Sequence, residues 1–211
     1  MLGRTHFFIG TAAALAVLQP QTVPALVAGA GAAAIGGLIS DIDVGTSQAH
    51  RDADKITTAT VAVAVLTILA EYKLNLGIYR RLTSDSSVLR LLAGTAAFLL
   101  ICAYGKQQPH RSFMHSFAAL ALLTACVDII YPDVSAYFAV GFLSHLVLDF
   151  SPEPEKLFWP WKKGFCLGLC SARGLVNRAL LGCGMVSLAV ILVISAPAGR
   201  LMAKIMRAIY G

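Results

Sequence analysis

Ala28-Gly29-Ala30-Gly31-Ala32-Ala33-Ala34-Ile35-Gly36-Gly37-Leu38-Ile39-Ser40-Asp41-Ile42-Asp43 joins a run of small and apolar residues to a pair of carboxylates. Small side chains let helix backbones approach closely in lipid, so this stretch reads as a helix at the centre of a bundle. The acidic pair at its end is what a bilayer excludes unless the charges serve a site. Outward from this stretch, six more apolar segments fall between breakers. The seven run over about 5–19, 24–40, 56–72, 88–104, 115–131, 135–150 and 175–196. Most lie near the short end of the roughly 17–25 residues needed to span hydrocarbon.

Composition agrees with that pattern. Of 211 residues, 57% are hydrophobic and 13% charged, with mean hydropathy +0.73. Soluble domains carry about 25% charged residues. The expected fold is all-α: a polytopic integral membrane bundle of about six or seven apolar helices, one domain over 1–211, with a polar metal site at one membrane face. The first apolar run has one preceding Arg and no clear cleavage site, so a retained helix is expected rather than a removed signal peptide. The net charge of +6 suits loops facing anionic lipid headgroups. Without basic runs interleaved with aromatics, nucleic acid is not an expected partner. The five cysteines lie mostly inside apolar runs and read as small buried hydrophobes, with Cys166 and Cys170 lacking the second pair that a zinc knuckle needs. Residues 151–174, with Trp159-Pro160-Trp161-Lys162-Lys163, read as an interfacial anchor. Arg200 to Gly211 suits an amphipathic helix lying in the interface.

Histidines and carboxylates gather at segment ends. His6 opens the first segment, Asp41 and Asp43 close the second, His110 and His115 precede the fifth, and His145 and Asp149 end the sixth. His145 and Asp149, four apart, share a helix face and could share a divalent ion, or the Asp could orient the His. Ser112 is the expected N-cap of the fifth segment, and Arg111 offers a planar donor suited to phosphate or carboxylate. Singly, each pair also has an ordinary reading as a helix stop or a polar loop. Alternate crossing of the bilayer, however, puts the N-terminus and the ends of segments two, four and six on one side, so all seven groups share one face. That side carries ten Lys and Arg against seven opposite, which favours the cytoplasmic face. His50, in a polar loop with Asp52 and Asp54, reads as a solvated residue.

The donor set of imidazoles and carboxylates suits Zn²⁺, Mn²⁺ or Fe²⁺ and provides for one or two ions. Serine-nucleophile, His-Glu-x-x-His and Walker A patterns are absent, so hydrolysis would rest on metal-activated water.

Four elements resemble those of the YdjM-like membrane-bound metal-dependent hydrolases, small bacterial and archaeal proteins. They are Thr5-His6; Leu38-Ile39-Ser40-Asp41-Ile42-Asp43; His110-Arg111-Ser112-Phe113-Met114-His115-Ser116; and Ser144 to Asp149 followed by Trp159-Pro160. The chain departs from that pattern at Ser40, where Pro is usual, at Val44, where His often follows, and at Ser112 to Met114. The family is distantly similar to zinc-dependent phospholipase C. The resemblance implies an inner-membrane, metal-dependent enzyme and suggests phosphoester hydrolysis near lipid. Together with the same-side clustering and the ligand chemistry, the expectation is cleavage of a lipid or lipid-linked phosphoester, with His6, Asp41, Asp43, His110, His115, His145 and Asp149 as metal ligands. His110 would serve as ligand or general acid, and Arg111 would bind the anionic substrate. The alternative is a non-enzymatic membrane protein, either a metal or proton transporter or a scaffold with a structural metal.

Overall fold

The computed structural model describes residues 2–43, 66, 69–70, 72–74, 77, 88–150, 154–161, 163–168 and 174–210. Among these the chain is helical: α1 (Gly3–Leu18), α2 (Val23–Ile39), α3 (Val88–Lys106), α4 (Phe117–Ile130), α5 (Pro132–Asp149), α6 (Leu175–Ile194) and α7 (Ala196–Tyr210), with 3₁₀ turns at Ser40–Asp43 and Phe113–His115. Breakers set the ends. Gln19 takes a left-handed conformation (φ 43°) that closes α1, and Thr22 caps α2 by accepting from Ala25 N at 3.3 Å, with Pro24 in the first turn.

α2 packs between α1 and α5, and its inner face is built from Ala and Gly. The approach to α5 is close enough to exclude any side chain at two positions. A Cβ at Gly36 would collide with the Phe138 carbonyl, and one at Gly141 with the Ala33 carbonyl. Leu15, Leu26 and Ala33 join Tyr137 on one side of this core, while Phe113, Met114, Leu123, Phe138, Phe142 and Leu146 fill the other. α4 lies against α3 and α5, and α6 leans on α1.

Six of the seven expected apolar segments correspond to helices. The third, 56–72, lies outside the described residues apart from a few positions. Only two described spans, Val23–Asp43 and Leu175–Ile194, are both long and apolar enough to cross a membrane, fewer than the six or seven expected. Length accounts for two of the differences. α1 and α4 have 16 and 14 residues, below the roughly 17–25 that span hydrocarbon. α6 keeps most of its surface outside the fold, with Leu175, Val186, Val193 and Ile194 exposed, as a lipid-facing helix would. The C-terminal amphipathic helix begins at Ala196, four residues earlier than Arg200.

Three other expectations need correction. Ser112 does not cap α4: the turn Phe113–His115 intervenes, and Ser116, extended at φ −132°, accepts from Ala119 N at 3.2 Å. The tryptophans divide their labour, Trp159 packing on Phe113 (5.2 Å) and Tyr104 (6.4 Å) while Trp161 stays exposed. Cys102 and Cys126 are buried as expected, but Cys183 and Cys166 are exposed. Cys170 and His50 lie outside the described residues.

Because backbone meets backbone at Gly36 and Gly141, replacing either with Ala is expected to cost about 1–3 kcal/mol by overpacking. Gly182→Ala, where an added Cβ meets nothing within 4 Å, is the matched control. Thermal unfolding in detergent, followed by helical circular dichroism, measures the difference.

Candidate metal centre

Four chain segments deliver polar groups to one end of the α1–α2–α5 core. α1 brings His6, the turn after α2 brings Asp41 and Asp43, the turn before α4 brings His115, and the last turn of α5 brings His145 and Asp149. All six are buried. The spacing of four between His145 and Asp149 puts both on one face of α5.

The ring of His145 is oriented by backbone. Its Nδ1 stands 2.9 Å from the Gly37 carbonyl, which can only accept, so Nδ1 carries the proton and the Nε2 lone pair points away from it. That lone pair faces His115 Nε2 at 3.2 Å and Asp41 Oδ1 at 3.5 Å. His115 presents Nδ1 to Asp43 Oδ2 at 3.4 Å and Nε2 to Asp41 Oδ1 at 3.6 Å, the orientation a carboxylate gives a metal-binding imidazole. His115 Nε2, His145 Nε2 and Asp41 Oδ1 thus form a triangle with edges of 3.2, 3.5 and 3.6 Å. Either a proton on His115 Nε2 or a cation among the three atoms would relieve the repulsion between their lone pairs. Asp149 completes a set of four, Asp41, His115, His145 and Asp149, whose donor atoms lie within 4.8 Å of one another and could hold a metal ion.

Asp43, His110 and His115 form a second such set. In it His110 Nδ1 lies 2.7 Å from Asp43 Oδ1, and the His110 side chain is 37% exposed, so this set marks the wetter side of the cluster. His6 belongs to neither group: its ring stacks on His145 at 3.9 Å, and its Nε2 sits 3.1 Å from Asp149 Oδ1. Arg111, expected to face an anionic substrate, turns inward instead. It donates from Nη2 to Asp149 Oδ2 at 3.3 Å and from Nη1 to the Asp149 carbonyl at 3.4 Å. Its backbone is left-handed, φ 60°, a conformation that favours glycine.

Two residues of the cluster's surroundings escape a reading of the sequence. Asn177, near the start of α6, accepts from Thr5 Oγ1 at 2.9 Å and from Leu2 N at 3.2 Å, which ties the start of α1 to α6. A signal for it exists: an amide in the first turn of an apolar helix needs a partner. Glu155 has no such signal, because a glutamate in a Pro- and Trp-rich connection reads as solvated. It is nevertheless fully buried, and burial pushes its carboxyl up to about 7, with the charges of His115 and Arg111 offsetting only part of that effect. A two-residue bridge pins it, since Glu155 and Phe165 exchange N–H···O bonds of 2.9 Å.

No curated protein and no solved structure matches the chain. A family model does: the one described as YdjM inner membrane protein matches residues 1–209, a span that takes in every group of this cluster, and the chain belongs to that family.

Proposed function

We propose that this protein is a membrane-embedded, metal-dependent hydrolase acting on a lipid or lipid-linked phosphoester. One observation carries the reading: the triangle of His115 Nε2, His145 Nε2 and Asp41 Oδ1, with edges of 3.2–3.6 Å. A tetrahedral zinc ion bonded to nitrogen and oxygen at about 2.0–2.2 Å spaces its donors about 3.3–3.6 Å apart, so Zn²⁺ fits, with Mn²⁺ or Fe²⁺ as chemical alternatives. When bound, such an ion supplies Lewis-acid polarisation of a phosphoryl oxygen and an activated water. Asp41, His115 and His145 would hold such an ion, with Asp149 within reach of the same set. His110, partly exposed and hydrogen-bonded to Asp43, is suited to exchange protons with a leaving group arriving from the membrane surface. The Lys and Arg count favours the cytoplasmic side for that surface, where anionic headgroups are the partners at hand.

A second reading draws on a different observation. With Asp149 included, four buried protein donors complete a set of the size that a structural zinc site uses. The scaffold or transporter alternative would then hold.

Metal analysis of detergent-purified protein separates these readings from a metal-free bundle. The hydrolase reading expects about one divalent ion per chain. His145→Ala or Asp41→Asn should lose more than the roughly 10–100-fold in affinity that outer-sphere changes cost. It also expects cleavage in a screen of phospholipids and lipid phosphates, abolished by chelation and restored by metal. Bound metal with no cleavage of any member favours the structural reading, and metal-free protein with unaltered behaviour in both variants sinks both.

The sign of the pH dependence follows from the ligands. Burial lowers the His115 imidazole, but Asp41 and Asp43 outweigh it and hold the group up to about 9. That imidazole must shed its proton to bind a metal, so affinity falls as pH drops below about 9, and binding releases protons. Calorimetric titration with Zn²⁺ in two buffers of different ionisation enthalpy reads that release directly.

A further inference from the structure

Glu155 is the buried group beside the cluster to which the metal-centre reading assigns no task. Neither of its carboxyl oxygens has a hydrogen-bond partner, and Arg111 Nη1 stands 4.0 Å from Oε1, too far for a hydrogen bond. The backbone holds it there. Its own N–H and C=O pair with Phe165 at 2.9 Å, and the next residue, Lys156, donates to the Arg111 carbonyl at 3.2 Å. The glutamate is thus fastened to the same short stretch of chain as the arginine it fails to reach.

Arg111 meanwhile directs two donors to Asp149, one to the carboxylate and one to the carbonyl. Asp149 is also one of the four donors that could hold an ion. A divalent cation and a guanidinium that both claim one carboxylate place two positive centres side by side in a buried region, where their repulsion is weakly screened. An acceptor for the displaced guanidinium would relieve this, and Glu155 is such an acceptor, already on the flank of Arg111. The burial that raises the Glu155 carboxyl is what a carboxyl without a full counter-ion shows, and it would ease once Arg111 came within bonding distance.

Resting on the reading of Asp41, His115, His145 and Asp149 as a four-donor metal centre, we propose that Glu155 is a positioning residue for that centre: when a divalent ion takes Asp149, Arg111 transfers its ion pair from Asp149 to Glu155. The glutamate never touches the ion. It keeps the arginine's charge compensated while the ion is bound, and so lets Asp149 ligate.

The test is Zn²⁺ affinity of the full chain in detergent, measured by competition with a chromophoric chelator, in a double-mutant cycle. Glu155→Gln alone is expected to weaken binding by roughly 10–100-fold, the range typical of outer-sphere partners. In an Arg111→Met background the same change is expected to have no effect, because the charge that Glu155 compensates is gone. Glu155→Asp, which keeps the charge, is expected to retain most of the affinity. A merely structural glutamate would weaken binding equally in both backgrounds, and that result, or unchanged affinity in Glu155→Gln alone, overturns the proposal. Helical circular dichroism and thermal unfolding of each variant show whether a loss reflects unfolding. If Glu155→Gln proves unfolded, Glu155→Asp decides, and its loss of affinity in a folded protein overturns the proposal. Wild-type protein that binds no Zn²⁺ at all overturns the metal centre and this inference together. Failure of the inference alone shows as a wild type that binds and a cycle that is additive.

Discussion

The contact on which the rest of the molecule depends is the side-chain-free passage of α2 between α1 and α5. An added Cβ at Gly37 would lie 2.9 Å from the His6 carbonyl, and its neighbour Gly36 abuts the backbone of α5. The same Gly37 offers its carbonyl to His145 Nδ1 at 2.9 Å. One close approach therefore does two things: it packs three helices where larger side chains would hold them apart, and it orients an imidazole so that its other nitrogen points at the acidic turn. Dispersion gains from close packing carry such contacts in lipid, where apolar burial adds little. The polar cluster then sits at the end of a tightly packed wedge, and its geometry is inherited from backbone rather than from flexible side chains.

Much of this is legible in the residues. The Ala- and Gly-rich stretch before Asp41 reads as a central helix, and α2 occupies that place. Alternate crossing gathers His6, Asp41, Asp43, His110, His115, His145 and Asp149 at one end, and the structure brings them together in one contiguous cluster. Period and breakers are local signals, which is why helix positions follow from them. What escapes is what depends on tertiary fit. Ser112 and Ser116 are both sensible caps by type, and only the intervening 3₁₀ turn, with Phe113 and Met114 buried in it, decides between them. Arg111 reads by its chemistry as an outward anion binder, yet a left-handed backbone turns it onto Asp149. Glu155 and Asn177 gain their significance from partners 44 and more than 170 residues away, a distance no local pattern reports.

Charge balance explains why these groups stay together. Asp41, Asp43, Asp149 and Glu155 bring four carboxyls into a buried region with one guanidinium, Arg111, among the described residues. Carboxylates in such a setting need cations, protons or donors. The imidazoles of His6, His110, His115 and His145 stand between them as groups that can either hold protons or yield lone pairs, and that duality is what makes the cluster receptive to a divalent ion.

Sequence distance has a further consequence, for how the molecule is made. His6 and Asp149, 3.1 Å apart, lie on α1 and on the last turn of α5, while the Asn177 that receives Thr5 belongs to α6. The first of these helices to leave the ribosome is therefore among the last to have its polar groups satisfied. Until α5 and α6 follow, an imidazole and a hydroxyl at the head of α1 must rely on water or headgroups at the bilayer edge. Placing the cluster at helix ends rather than mid-helix keeps those groups near water and headgroups during that wait, away from the centre of the hydrocarbon.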